Sequence, residues 1–166
     1  MIRDARADDI PAIHRMVCEL AEYERARHEV RATADDLARD LFGPRPKVFS
    51  HIAEDDDGRI AGFSLWFLNY STWLGRHGIY LEDLYVTPDA RGGGHGKALL
   101  AELARITVAR GYGRLEWSVL TWNPANGFYR GLGAVPQEEW RVNRLTGEPL
   151  RRLAGQAAAD SQHDAP

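Results

Sequence analysis

The chain has 166 residues, enough for one ordinary domain that buries about two thirds of its unfolded surface. Charged residues make up 27% and hydrophobic ones 44%, and a formal net charge of -3 supplies no basic stripe for neutralising phosphates, which argues against a general nucleic-acid binder and suits a cationic small molecule. The single cysteine, Cys18, excludes an intrachain disulfide and a Cys-rich metal site, and with no apolar run of about 18 residues and no signal-peptide core the expected address is the cytoplasm, without membrane contact.

Ile2 to Ala5 reads as a short first strand, after which Asp8 caps a helix with Pro11 near its start. Ile10, Ile13, Val17, Leu20 and Glu24 follow at spacings of 3, 4, 3 and 4, so they share one face. The fifth member is an acid on an oily stripe: either the helix ends before Glu24, or the stripe delivers a carboxylate to a site. Thr33-x-x-Asp36 is a capping box before a short helix carrying Leu37, Leu41 and Phe42, and Gly43-Pro44 stops it. Val48 to Ala53 and Ile60 to Leu68 read as strands around the turn Asp55-Asp56-Asp57-Gly58, and the polar, aromatic segment Asn69 to Gly78 as a loop.

Ile79 to Val86 is a nearly continuous apolar run, as expected of a strand covered on both faces, interrupted by Glu82 and Asp83. Thr87, Pro88 and Asp89 end it. Arg91, Gly92, Gly93, Gly94, His95, Gly96 and Lys97 then lead into a helix on which Leu99, Leu103, Ile106 and Ala109 recur at helical spacing, and Gly111 and Gly113 mark its end. Leu115 to Leu120 predicts another strand. Asn123 caps a short helix with Pro124 at its first position, Gly133 ends that helix, and Trp140 to Leu145 is a candidate last strand. Residues 1–154 read as one domain and 155–166, small, polar and charged, as a disordered tail. Interleaved strands and helices of this kind predict an α/β (α+β) fold with a mixed central sheet.

A strand, a glycine turn and a helix start make an anion cradle, because amides without Cβ neighbours approach oxygens closely and the helix end adds unpaired N–H groups and partial positive charge. A nucleotide-hydrolysing loop would need Gly where Arg91 stands and Ser or Thr where Ala98 stands; a dinucleotide fingerprint would need Gly at position 97 or 99, occupied by Lys and Leu. Arg91-x-x-Gly94-x-Gly96 behind a strand bearing Glu82 and Asp83 instead resembles the acyl-CoA pyrophosphate loop of the GNAT N-acetyltransferases. ELAEYE (19–24), YLED (80–83), RGGGHG (91–96), WN (122–123), FYRGLGA (128–134) and EEW (138–140) come in the order seen in that superfamily's spermidine/spermine, or diamine, N-acetyltransferase group. The similarity covers residues 2 to 154.

That resemblance implies about seven strands, the fourth and fifth splayed so that pantetheine slips between them, a homodimer, and acetyl-CoA as co-substrate without a metal. Acetyl transfer needs a neutral amine, and neutralising an alkylammonium of reference pKa 10.4 at pH 7 costs roughly 4 to 5 kcal/mol. Glu82 matches the glutamate that takes the proton through ordered water; strand alternation sets it and Asp83 on opposite faces unless a bulge intervenes. Backbone amides of Leu84, Tyr85 and Val86 match those that hold the acetyl group and pantetheine arm. Tyr129 matches the partner of the leaving thiolate, in a segment one residue shorter after Asn123 than is usual for the group. Complete proton transfer from tyrosine to such a thiolate is uphill by roughly 2 kcal/mol, so a hydrogen bond is the expected role.

Asn123 can hydrogen-bond the pantetheine chain or cap its helix, and Arg91 and Lys97 offer charge to the phosphates. Tyr23 and Glu24 match the substrate-binding Tyr-Glu pair, Asp83 lies beside the base, and one of Glu138 or Glu139, next to Trp140, matches a further acidic contact. The implied activity is N-acetylation of a small cationic amine of polyamine or diamine type by direct attack in a ternary complex. The group's range leaves open thialysine or a lysine-like metabolite, and a non-catalytic acyl-CoA sensor is the alternative of another class.

Overall fold

The computed structural model describes residues 1–161 and divides into two compact units, Met1–Leu120 and the chain from Thr121 on. In the first unit five strands, β1 (Ile2–Asp4), β2 (Phe49–Glu54), β3 (Ile60–Ser71), β4 (Arg76–Val86) and β5 (Leu115–Trp117), lie in sequence order in one sheet. All neighbours are antiparallel except β4 and β5. The helices are α1 (Ile10–Tyr23), α2 (Ala34–Phe42) and α3 (His95–Ala109).

On α1, Ile10 and Ile13 of the apolar stripe and Met16 beside it are buried in one cluster with Ile52, Phe63, Leu65 and Tyr85 from β2, β3 and β4, Val17 and Leu20 pack partly buried against it, and Leu41 of α2 closes it. The capping box of α2 forms as the spacing requires: Asp36 N–H donates to Thr33 Oγ1 at 3.2 Å and Thr33 N–H to Asp36 Oδ2 at 2.9 Å. At the start of α1 the acid that counts is Asp9 rather than Asp8. Its carboxylate accepts the Arg6 N–H at 2.7 Å and both terminal nitrogens of Arg3 at 2.7 and 2.9 Å, while Arg3 Nε donates to Glu54 Oε1 at 2.6 Å. This fork ties the helix entry to β1 and β2.

Residues 69–78 do not form the loop that their polarity predicts. Asn69↔Gly78, Tyr70↔His77 and Ser71↔Arg76 continue the ladder, so β3 and β4 run as one long hairpin whose outer end pleats polar and aromatic side chains toward water. β5 is shorter than expected: Leu115–Trp117 pairs with Ile79–Leu81 and the ladder stops there. The five described strands replace the implied seven. Residues 140–145 form none, because Arg141, Asn143 and Arg144 are exposed with their neighbours and give a strand nothing to bury.

The second unit carries α4 (Ala125–Gly131) and α5 (Gly147–Ser161). Asn123 Oδ1 accepts the Ala125 N–H at 2.9 Å at the head of α4, and Gly133, at φ +91°, follows its end. Of the expected disordered tail, residues 155–161 belong to α5, whose Arg151 reaches back to Glu148 at 3.2 Å; residues 162–166 lie outside the described part.

Candidate active site

The two carboxylates of β4 sit at a bulge. Leu65 pairs with Asp83 and the next residue, Trp66, with Leu81, so Glu82 is the extra residue of the strand. Cross-strand partners share a face. Leu65 and Tyr85 pack in the α1 cluster, which sets Asp83, opposite the one and two residues before the other, on the α1 side. Leu81, opposite Trp66, points to the other side, so alternation sends Glu82 toward α1 as well. The bulge is therefore what gives both acids one face.

Their environments differ. Glu82 is exposed. Burial pushes the Asp83 carboxyl up to about 6, with the negative charges of Glu82 and Glu24 adding to the effect. Glu24 is the residue that ends α1: the helix stops at Tyr23, Glu24 N–H closes onto Leu20 O at 2.9 Å, and Arg25 follows at φ +62°. Both readings of the acid on the stripe hold together, since the helix ends and the half-buried carboxylate, its own pKa raised by burial, is delivered toward β4. Three acids converge from β4 and α1, one of them neutral for about half the time near pH 6, an arrangement whose mutual repulsion a cation would relieve.

Beyond Leu81 the β5 side of β4 has no ladder partner within the first unit, so alternate amides of the Glu82–Val86 stretch on that edge are outside the sheet's hydrogen bonding there. The glycine turn follows. Gly92 and Gly94 adopt φ +84° and +80°, and a Cβ on either would meet nothing within 4 Å, so glycine is required there by conformation and the space over the turn is open. The first intrahelical bond of α3 is Ala98 N–H to Gly94 O at 3.0 Å, and no side chain caps that end. The N–H groups of His95, Gly96 and Lys97 thus precede the helical ladder, and this cradle fits a diphosphate.

Arg91 does not extend over the turn. Its Nε–H donates to Val86 O at 3.1 Å and its guanidinium stands 5.3 Å over the Tyr23 ring and 5.7 Å over the Tyr85 ring. These three residues, with Glu19, Glu22 and Asp89, line a cavity of about 420 Å³. Glu19 heads the ELAEYE run, and the sequence signal for its place here is its position four residues before Tyr23, one turn away on the same face of α1. Burial raises the Tyr85 phenol above its usual range, and the Glu19 carboxylate beside it adds to this.

The first unit thus brings Tyr23, Glu24, Glu82, Asp83, Leu84, Tyr85, Val86 and the turn 91–97 onto adjoining elements. Asn123, Tyr129, Glu138, Glu139 and Trp140 belong to the second unit. There Asn123 spends its side-chain oxygen on the α4 cap, Tyr129 lies on α4 with its ring 5.3 Å from that of Phe128, and Trp140 N–H closes a turn onto Gln137 O at 3.1 Å. Among the described residues no group of three or more His, Cys, Asp or Glu is placed to hold a metal ion, and no helix is long and apolar enough to cross a membrane.

The chain resembles known proteins along most of its length. The family model for the acetyltransferase (GNAT) family matches residues 10–134. A thialysine N-epsilon-acetyltransferase of Bos taurus is 37% identical, the match covering 93% of this chain and 97% of that protein. A spermidine/spermine N(1)-acetyltransferase-like protein 1 of Homo sapiens is 35% identical over 92% of this chain and 23% of its own length. Among solved structures, an integron cassette protein from the mobile metagenome of V. cholerae superposes with a TM-score of 0.74 at 28% identity, covering 93% of this chain and 96% of that one.

Proposed function

This chain belongs to the acetyltransferase (GNAT) family, whose members use acetyl-CoA as co-substrate, and we propose that it acetylates the terminal primary amine of a small, cationic, amino-acid-like substrate of the thialysine type. The observation that carries the reading is the convergence of Glu82, Asp83 and Glu24 beside an open glycine cradle: carboxylates that repel one another are stabilised by an ammonium ion arriving between them.

The turn amides at Gly92 to Lys97 would hold the diphosphate of acetyl-CoA, which supplies the activated acetyl group. The β4 edge from Leu84 to Val86 offers N–H donors to charge developing on the acyl oxygen. The amine must lose a proton before it attacks. Asp83, at about 6, is the better matched acceptor, and exposed Glu82, the bulged residue beside it, passes the proton to water. The family resemblance gives Tyr129 the hydrogen bond to the departing thiolate, a role that Tyr129→Phe tests.

A polyamine is the second reading. The acids Glu19, Glu22 and Asp89 that continue beyond Glu24 along α1 and the cavity wall favour a longer cation, and the human relative bears that name. Thiol release from acetyl-CoA over a panel of thialysine, lysine, ornithine, putrescine and spermidine separates the readings. The highest kcat/KM should fall on thialysine; the highest value on spermidine would transfer the assignment to polyamines, and no release with any amine would favour an acyl-CoA sensor. In Glu82→Gln, kcat should fall about 10²-fold or more while CoA affinity holds.

A further inference from the structure

Arg91 opens the glycine turn, yet its side chain is engaged behind it. The Nε–H bond to Val86 O fixes the stem against the end of β4, and the planar cation then lies over two aromatic faces at once, Tyr23 from the last turn of α1 and Tyr85 from β4. Tyr85 is buried in the α1 cluster, with Glu19 of α1 next to its phenol. One side chain of the turn therefore touches the helix end that carries the candidate amine contacts Tyr23 and Glu24. That end is also where the chain changes direction, because Arg25 leaves the helix in the left-handed region.

We infer that Arg91 is a positioning residue that couples occupancy of the glycine turn to the amine end of the site, by clamping Tyr23 of α1 against β4. The inference rests on the reading of the turn as the CoA site. Gly92 and Gly94 sit at positive φ, which glycine enters without a Cβ penalty; amides gripping a diphosphate would hold the turn in that conformation, and with it the base of the Arg91 side chain. A fixed clamp orders the end of α1 in advance, so an amine that needs Tyr23 and Glu24 in place loses less freedom on binding. Coupling of this kind is reciprocal, so amine and CoA raise each other's affinity by one factor. A guanidinium over a tyrosine at an accessible site is worth a factor of about two to five.

The test combines amide hydrogen exchange with steady-state kinetics in wild type, Arg91→Gln, Arg91→Lys, Tyr23→Leu and the Arg91→Gln/Tyr23→Leu double variant. Adding CoA should slow exchange across residues 20–26 in wild type and leave it unchanged in Arg91→Gln with CoA bound at saturation; Arg91→Lys should lie between. At saturating acetyl-CoA, Arg91→Gln should raise the thialysine KM about two- to five-fold at nearly constant kcat, and in the Tyr23→Leu background it should add nothing further. Retained slowing in Arg91→Gln, additive effects, or a change confined to CoA affinity would overturn the coupling, as would a wild-type helix end indifferent to CoA. If no amine is acetylated but the exchange response depends on Arg91, the substrate reading falls and the coupling stands. Normal turnover with an Arg91-independent response means the reverse: the substrate reading stands and the coupling falls.

Discussion

Asp83 faces Leu65 across the β3–β4 ladder, and that pair marks the slip in register which leaves Glu82 without an opposite. A flat strand would have sent one of the two acids to each side of the sheet. One extra residue puts both on the side where α1 ends, so that three acids repel across a half-dry space and Asp83 holds its proton to about pH 6.

A raised carboxyl pKa makes native stability fall with pH. Asp83 binds its proton more tightly folded than unfolded, so its favourable contribution is complete below about pH 4 and is lost as pH rises through about 6. The gap between 3.8 and about 6 corresponds to roughly 3 kcal/mol as an upper figure. Asp83→Asn should therefore be more stable than wild type at pH 8, with the difference vanishing near pH 4, in urea titrations at both values. The same variant removes the proton acceptor proposed for the amine and should lower kcat about 10²-fold or more, with a higher amine KM from the lost charge-assisted contact.

Gly94→Ala tests the cradle. The position has room for a methyl group, so any cost comes from holding an L-residue at φ +80°, about 1 kcal/mol of strain in the turn. The fold should survive with a small drop in Tm. Relief of the strain toward negative φ would rotate the amides at the head of α3, and calorimetry should find CoA binding weakened about tenfold or more with the amine panel's order unchanged. Unchanged CoA affinity would remove the turn from the cofactor site.

Much of this arrangement could be read in the residues themselves. The α1 stripe, the Thr33–Asp36 box, the Asp55–Gly58 turn and the glycine turn each depend on local periodicity or on a conformation one residue type supplies, and each forms where expected. What is not legible depends on partners distant in the chain. The bulge at Glu82 is a property of two strands together and has no sequence mark of its own. Residues 69–78 look like a loop because their side chains are polar, but the ladder with the opposite strand is made by backbone groups that composition does not report. Trp140 to Leu145 misleads in the other direction, since its alternation finds no surface to cover. The direction of Arg91 is invisible for a third reason: a long side chain at a turn has several polar targets, and only the fold ranks them.

The Arg3 fork makes a prediction about stability alone. Asp9 is buried and accepts two guanidinium bonds and a backbone N–H, and the Arg3 charge holds its carboxyl below the usual range. Asp9→Ala leaves the largely covered Arg3 with Glu54 and the Asp4 carbonyl oxygen as partners, and should cost about 2 to 3 kcal/mol in denaturant titrations at pH 7. Because a lowered carboxyl pKa confers stability above its unfolded value, the deficit should shrink as pH falls through the acid range. CoA and amine binding at a temperature where the variant is folded should match wild type, since no element of the fork lies in the glycine turn or at the end of α1.

Tyr129→Phe separates two jobs that a tyrosine can perform for a thiolate. With reference values near 10 for the phenol and about 8.5 for the thiol, full protonation by tyrosine is uphill by roughly 2 kcal/mol, whereas a hydrogen bond to the developing anion costs no proton transfer at all. Removing such a donor should lower kcat about 10²-fold and leave CoA affinity nearly intact. The distinguishing measurement is a leaving-group series: thioesters of progressively more acidic thiols should rescue the variant gradually, because a better leaving group needs less stabilisation. A kcat close to wild type with acetyl-CoA bound would exclude Tyr129 from the reaction and leave its phenol a packing group beside Phe128 on α4.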